Sequence, residues 1–340
     1  MGAPARGLEP RYYVDEGVFA RERERVFAGS WIPVCRLEDV ASPGDYVTYD
    51  LAGDPIVVTR SRDGRLTALA NVCRHRSMLI MSGSGNAPAL QCPYHQWTYS
   101  LDGSLVGAPQ SADAPGFDKA DHCLPRLAVE TWQGFVLVNT DVDAAPLGPQ
   151  LAGLDDVVDG LRMDEMVRVG SISWDQTWNW KVTFENYAES YHHQGVHTDT
   201  LQPFFPGERS MPIVEEGTPW MALDHTSVAE GIDPFLVVGV YPLLWPSVVR
   251  PDAMVWLKAE VHGVGRSTLV TEVFVHESRA EDRAYAELQI EGIRVVNTED
   301  IIPNRGVFAG MQSRYAVSAT LLPLEAAVDH FSRWYLARMA

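Results

Sequence analysis

Positive charge is scarce in this chain. Its 340 residues carry 27 Lys and Arg against 45 Asp and Glu, a net charge of −18, and that balance argues against nucleic acid and anionic membranes as partners. The acids are dispersed and read as a solvated surface. Cysteine is scarce too. Cys35, Cys73, Cys92 and Cys123 are the full set, and so few thiols in a reducing compartment favour metal ligation over disulfides. The N-terminus carries Arg6 and Arg11 without the apolar core of a secretory signal. The most apolar long run, Ile232 to Val249, is broken by Asp233, Pro234, Pro242 and Pro246. It reads as buried strands, not as a membrane span. No internal repeat or low-complexity tract is present. The expectation is a cytoplasmic globular protein, long enough for two domains.

Asp15 can cap a helix running to about Ala28, with Phe19, Val26 and Phe27 as its apolar contacts. From Trp31 short strands take over: 46–50, 55–60 and 66–70 alternate or run β-branched, with hairpin turns at Asp63-Gly64 and Leu101-Asp102-Gly103-Ser104. A strand at 135–139 closes this region, and 141–153, rich in Pro, Ala and Gly, reads as a linker. Beyond it the pattern predicts a strand at 167–180, a helix at 183–194, a hairpin of 253–262 with 266–276, and helices at 282–299 and 324–339. Strands gathered in one run and helices in others predict an α+β second domain.

The expected helix at 183–194 packs carboxylates and imidazoles at spacings that suit a metal. Glu185, Glu189 and His192, at steps of four and three, share one helical face. His197 would point away if the helix ran on, and Gly195 offers a left-handed residue to end it and bring His197 back. Two imidazoles and a carboxylate from elsewhere make the facial triad that holds ferrous iron with positions left open. His193 and His197, four apart, are a rival pair at zinc spacing.

About a hundred residues upstream stand Cys73-Arg74-His75 and Cys92-Pro93-Tyr94-His95. A two-iron two-sulfur centre of Rieske type needs two thiolates on one iron and two histidines on the other, so each loop supplies one of each. Zinc fingers pair Cys with Cys and His with His, and fit this order poorly.

Asn71 to Arg76 and Cys92 to Tyr99 closely resemble the cluster loops of Rieske oxygenases. Met78 and Tyr94 stand where respiratory and photosynthetic Rieske proteins have two further cysteines, and Trp97 where they have a serine, which implies fewer hydrogen bonds to the sulfurs and a lower potential. Ser77 and Gln96 depart from the oxygenase pattern, in which both positions are commonly glycine. Asn179-Trp180-Lys181, Glu185-Asn186, Glu189, His192 and His197 match that family's motifs, as does the late pair Glu299-Asp300. From Trp31 to its last helix the chain resembles the catalytic α subunit of a Rieske non-haem iron oxygenase, of the aromatic ring-hydroxylating dioxygenase family.

The resemblance implies an α+β fold: an N-terminal Rieske β-sandwich domain at 38–150 and a helix-grip catalytic domain with antiparallel sheet at 151–340, on which residues 1–37 pack as an N-terminal helix. It implies Cys73, His75, Cys92 and His95 as ligands of the Rieske cluster, His192, His197 and Asp300 as ligands of a mononuclear ferrous ion, and Glu189 and Asn186 as catalytic residues. It also implies dioxygen as cosubstrate, NADH-derived electrons from a partner reductase with or without a ferredoxin, and a homotrimer. In that trimer Glu189 would bridge its own His192 to His95 of the partner subunit. Phe204, Phe205, Trp220, Trp245 and Trp256 follow the iron motif and are expected to line a pocket that suits an arene or, through cation–π contacts, a quaternary ammonium group; the expected substrate is small and aromatic, hydroxylated or oxidatively demethylated. Glu189, where many ring hydroxylases have aspartate, resembles the branch that cleaves quaternary ammonium compounds. A Rieske electron carrier without oxygenase activity is the alternative of another class, in which only the β domain works.

Overall fold

The computed structural model of the protein describes residues 4–340, so residues 1–3 of the expected N-terminal helical segment lie outside the described residues. The chain forms two compact units. One is Phe27–Ala145, and the other joins the segment ending at Val26 to Pro146–Ala340.

The smaller unit is built from β-branched strands that pair antiparallel throughout. Its seven-stranded sheet runs, in spatial order, Ile32–Arg36, Phe135–Asn139, Arg126–Trp132, Leu66–Ala70, Asp54–Arg60, Asp45–Leu51 and Ser84–Asn86. A second sheet of three short strands, Leu90–Gln91, Thr98–Tyr99 and Leu105–Gly107, carries the second Cys-His loop at its first turn. The next turn holds Gly103 at φ +89°, where a Cβ would meet Leu69 Cδ2 at 2.7 Å, so the hairpin there requires glycine. Val57, Leu69, Ile80, Leu90, Trp97 and Tyr99 form one buried cluster that also takes in Cys73 and Cys92. The unit's core therefore reaches up to the thiols.

The larger unit centres on a seven-stranded antiparallel sheet in the order Met166–Gln176, Arg266–His276, Ala253–Gly263, Pro246–Val249, Phe235–Val240, Trp220–His225 and Met211–Val214. Five helices matter for the site: α1 (Glu16–Glu22), α2 (Trp180–Tyr187), α3 (His193–Val196), α4 (Arg283–Met311) and α5 (Ala326–Met339). Asp15 caps α1 as expected, accepting from Val18 N at 2.9 Å. Trp180, Phe184, Tyr241, Trp245 and Phe331 bury their rings together between α2, α5 and the sheet. Beside them the fully buried Lys181 pairs with the fully buried Glu22, whose carboxylate also accepts from Tyr335 Oη at 2.5 Å and Trp180 Nε1 at 3.3 Å. Those bonds tie α1, α2 and α5 through one charge pair, and such a pair is tolerated in a core only when its remaining lone pairs are satisfied.

Two expectations for the helices are corrected. The helix expected over 183–194 breaks: α2 stops at Tyr187 and α3 begins at His193. The Glu189 carboxylate accepts the backbone N–H of His192 at 3.2 Å, which offers the chain a side-chain partner in place of the helical ladder. Gly195 lies inside α3 with no left-handed backbone, so it does not end the helix as expected. The second correction is α4, which continues past Glu299 and through Pro303 to Met311. Proline has no N–H, so the Glu299 carbonyl lacks its bond from four residues on, yet the packing of α4 against α2 and the sheet carries the helix through.

Candidate functional site

His192, at the start of α3, His197, just after its end, and Asp300, in the middle of α4, come together although 102 residues separate the two segments. One donor atom from each lies within 4.8 Å of the others. Asp300 Oδ1 is 3.2 Å from His197 Nε2 and 3.8 Å from His192 Nε2. The other ring nitrogen of each histidine is held by a second carboxylate. His192 Nδ1 bonds Glu189 Oε1 at 2.6 Å, and His197 Nδ1 bonds Glu299 Oε2 at 2.7 Å. Each imidazole therefore turns Nε2 inward with its tautomer set from behind, the arrangement that orients metal-binding histidines. Two inward nitrogens, one inward carboxylate oxygen and an adjoining cavity fit a ferrous ion in a facial triad.

The other expected residues distribute around this set. Asn186, on α2, donates Nδ2 to Asp300 Oδ1 at 3.2 Å, so it orients the carboxylate. Glu189 and His192 come together as the motif implied, although through the helix break and not along a helical face. His193 points elsewhere: its Nδ1 bonds the Phe205 carbonyl at 2.9 Å, and it is not part of the metal-sized group. Burial pushes its pKa down to about 4. Burial opposes protonation of His197 as well, but Asp300 and Glu299 outweigh it and raise the pKa of the metal-free ring. Glu185 sits one turn before Glu189 and accepts from Tyr13 Oη at 2.5 Å; burial lifts its pKa to about 7.

Sequence reasoning missed the parts played by Glu299 and Thr200. Thr200 Oγ1 donates to the same Glu299 oxygen at 2.7 Å, fixing the carboxylate that fixes His197. The acid beside Asp300 was visible in sequence, but only the fold shows that it reaches Nδ1 of His197, opposite the nitrogen that faces Asp300.

A cavity of about 730 Å³ opens beside the triad, between the sheet and α4. Of the five aromatic residues expected to line a pocket, Phe204 and Phe205 do so, together with Trp178, Phe235 and Tyr285. Trp220, Trp245 and Trp256 are instead buried in the core. The charged side chains facing the cavity are carboxylates: Glu189, Asp199, Asp233 and Asp300.

In the smaller unit the two Cys-His loops repeat one hydrogen-bond pattern. Cys73 N donates to Met78 O at 2.9 Å and Ser77 N to Cys73 O at 3.0 Å; Cys92 N donates to Trp97 O at 2.8 Å and Gln96 N to Cys92 O at 3.0 Å. Ser77 (φ +56°) and Gln96 (φ +60°) are left-handed, which explains why glycine suits these two places and what the two departures cost. The tight turns leave Cys73 and Cys92 buried, with His75 and His95 exposed and their rings 4.6 Å apart. Tyr99 Oη lies 3.4 Å from Cys73 Sγ and accepts from Arg74 N at 3.0 Å. Two buried sulfurs backed by a hydroxyl and two adjacent outward imidazoles fit a cluster with thiolates on its inner iron and histidines on its outer one.

Comparison with known proteins finds a family match in each of the two units. Residues 30–126 match the Rieske 2Fe-2S domain, and residues 163–249 match the ring-hydroxylating alpha subunit catalytic domain. The oxygenase subunit of carnitine monooxygenase from Acinetobacter baumannii is 38% identical over 53% of this chain and 50% of its own length. The alpha subunit of benzene 1,2-dioxygenase from Pseudomonas putida is 34% identical over 56% of this chain and 43% of its own. These matches span about half the length of the curated relatives. A solved quaternary ammonium Rieske monooxygenase superposes with a TM-score of 0.90 at 25% identity, over 99% of this chain and 96% of that one. No helix among the described residues is long and apolar enough to cross a membrane.

Proposed function

Since the chain belongs to the Rieske oxygenase α-subunit family, we propose that it uses dioxygen and NADH-derived electrons, delivered by a separate reductase with or without a ferredoxin, to oxidise a small organic molecule. The observation that carries this reading is the triad of His192, His197 and Asp300 with a carboxylate behind each imidazole. A pure electron carrier has no use for it. When bound, the cluster at Cys73, His75, Cys92 and His95 supplies single electrons and the ferrous ion at the triad activates dioxygen. We assign the cluster to the unit Phe27–Ala145 and the iron to the unit that holds Pro146–Ala340, where 38–150 and 151–340 were expected. Asn186 keeps the Asp300 carboxylate aimed at the two histidines, and the apolar side chains lining the cavity favour an occupant with apolar surface.

The substrate reading we favour is a quaternary ammonium compound. The aromatic rings and carboxylates facing the cavity suit a trimethylammonium group, and the relative with 38% identity is a carnitine monooxygenase. An arene is the second reading, supported by the same rings and by the benzene dioxygenase relative. Glu189 is assigned to electron delivery: it holds its own His192 and would reach His95 of the partner subunit in a head-to-tail homotrimer. The superposing quaternary ammonium monooxygenase is described as transferring electrons between subunits, which supports that assignment.

Three measurements test the proposal. Iron and acid-labile sulfide analysis should give about three irons per chain, whereas two would leave only a carrier. Dioxygen uptake with a surrogate reductase should couple to oxidation of trimethylammonium or aromatic compounds, and uptake without product from either class would refute the substrate reading. Glu189→Gln should keep both centres and a particle of about three chains while slowing cluster reoxidation severalfold or more; unchanged reoxidation would send electrons by another route.

A further inference from the structure

Among the buried polar side chains that line the cavity, His193 and Asn304 are left unused by the chemistry above. His193 is 3% exposed and Asn304 4% exposed, and both line the cavity. His193 follows a ligand histidine directly, with its ring 5.1 Å from that of His192 and 5.6 Å from that of His197. One of its nitrogens is committed to the Phe205 carbonyl, while Nε2 has no protein partner among the described residues. Asn304 stands one turn beyond Asp300 on the inward face of α4. Asn297, three residues before Asp300 on that face, spends its amide on Thr271 Oγ1 at 3.0 Å. The Asn304 amide bonds no other side chain or backbone group outside its helix among the described residues.

Buried polar groups are paired in folded proteins, with water if not with protein. In the free protein, water in the cavity can satisfy both residues. A ligand that displaces such water without replacing its hydrogen bonds loses affinity, and one that replaces them does not. A carboxylate would replace them badly, because every charged side chain facing the cavity is itself a carboxylate. A hydroxyl replaces them well: it both donates and accepts, so it pairs with an amide and with either form of an imidazole ring.

We propose that His193 and Asn304 are the specificity pair of this cavity and that they select a substrate carrying a hydroxyl group. This deepens the oxygenase reading above and rests on it. On the quaternary ammonium reading the substrate is then a trimethylammonium alcohol, and on the arene reading a hydroxylated aromatic.

The test uses matched probes differing by one hydroxyl, choline against ethyltrimethylammonium and 2-phenylethanol against ethylbenzene, titrated calorimetrically into the metal-loaded protein. At least one hydroxylated member should bind on the order of tenfold more tightly than its partner. Asn304→Leu and His193→Leu should each erase that preference while binding of the deoxy partner holds, a ratio that a general loosening of the fold would not change. If neither hydroxylated probe outbinds its partner, or if the preference survives both substitutions, the inference falls. Irons are counted in the same samples. About three irons without a hydroxyl preference sinks this inference alone, and about two sinks the oxygenase reading from which it starts.

Discussion

The two proposed metal centres are built on opposite plans. In the smaller unit all four proposed ligands stand on two turns that share one hydrogen-bond pattern, and each turn sets the direction of its own thiol and imidazole. In the larger unit no local pattern suffices: the histidines flank a four-residue helix, the aspartate comes from the middle of a distant one, and carboxylates hold the rings from behind. A site made of turns is specified by short stretches of sequence. A site made by packing depends on everything that seats α2, α3 and α4.

The largest effects should separate the two plans completely. Cys92→Ser should abolish the visible absorbance and low-field paramagnetic signal of the cluster while iron at the triad remains, about one iron per chain. Asp300→Ala should do the reverse, removing the mononuclear iron and leaving the cluster spectrum at about two. His192→Ala should behave like Asp300→Ala, whereas His193→Ala should retain that iron. Loss of both centres in any one of these variants would show that the plans are not independent.

A graded effect comes next, and only the packed site should show it. Glu299→Ala leaves His197 without its rear partner and should weaken iron binding about 10–100-fold. Glu299→Gln still offers an acceptor oxygen and should lose less. Equal retention of iron in Glu299→Ala and the parent protein would reduce Glu299 to a bystander.

What could be read from the sequence follows the same division. The strands at 54–60, 66–70 and 135–139, the Asp15 cap and both cluster turns depend on nearby residues, and their patterns were plain. Ser77 and Gln96 even stood out as departures, because the turns demand a left-handed residue there. The helix break after Tyr187 was not legible. It depends on the Glu189 side chain taking the His192 amide, a competition that apolar periodicity does not register. Nor was the passage of α4 through Pro303, which propensity alone counts against and packing decides. The pocket followed suit: two of its five expected aromatic residues line the cavity, and Trp220 and Trp256 sit on strands, whose period says which residues share a face and not which face meets the site.

Smaller effects sharpen the comparison through stability. Glu185, half-buried near the packed centre, has its pKa raised from 4.5 to about 7, so the folded protein holds a proton that the unfolded chain releases. Stability should therefore decline as pH rises through that window, and Glu185→Gln should flatten the decline in denaturant titrations on either side of it. A parallel slope in the variant would assign the effect to other groups. Gln96→Gly, in the local centre, should relieve a left-handed side chain and raise stability by under about 1 kcal/mol, less than the steric gain alone because glycine loses more freedom on folding. The thermal midpoint of the cluster-loaded protein measures it, and a lower midpoint would show that the Gln96 side chain contributes more than its backbone costs.

The length of α4 has a mechanical consequence. One 29-residue rod carries Leu288 and Tyr285 on the cavity wall, Glu299 behind His197, Asp300 at the metal position and Asn304 in the cavity. A rod cannot yield at one end and stay fixed at the other without bending, and the missing amide of Pro303 is the natural place for such a bend. An occupant that pushes the wall outward thus moves Asp300, a proposed ligand, and the Glu299 buttress in the same stroke. Filling the cavity and setting the coordination are one displacement, read at two points along the same helix.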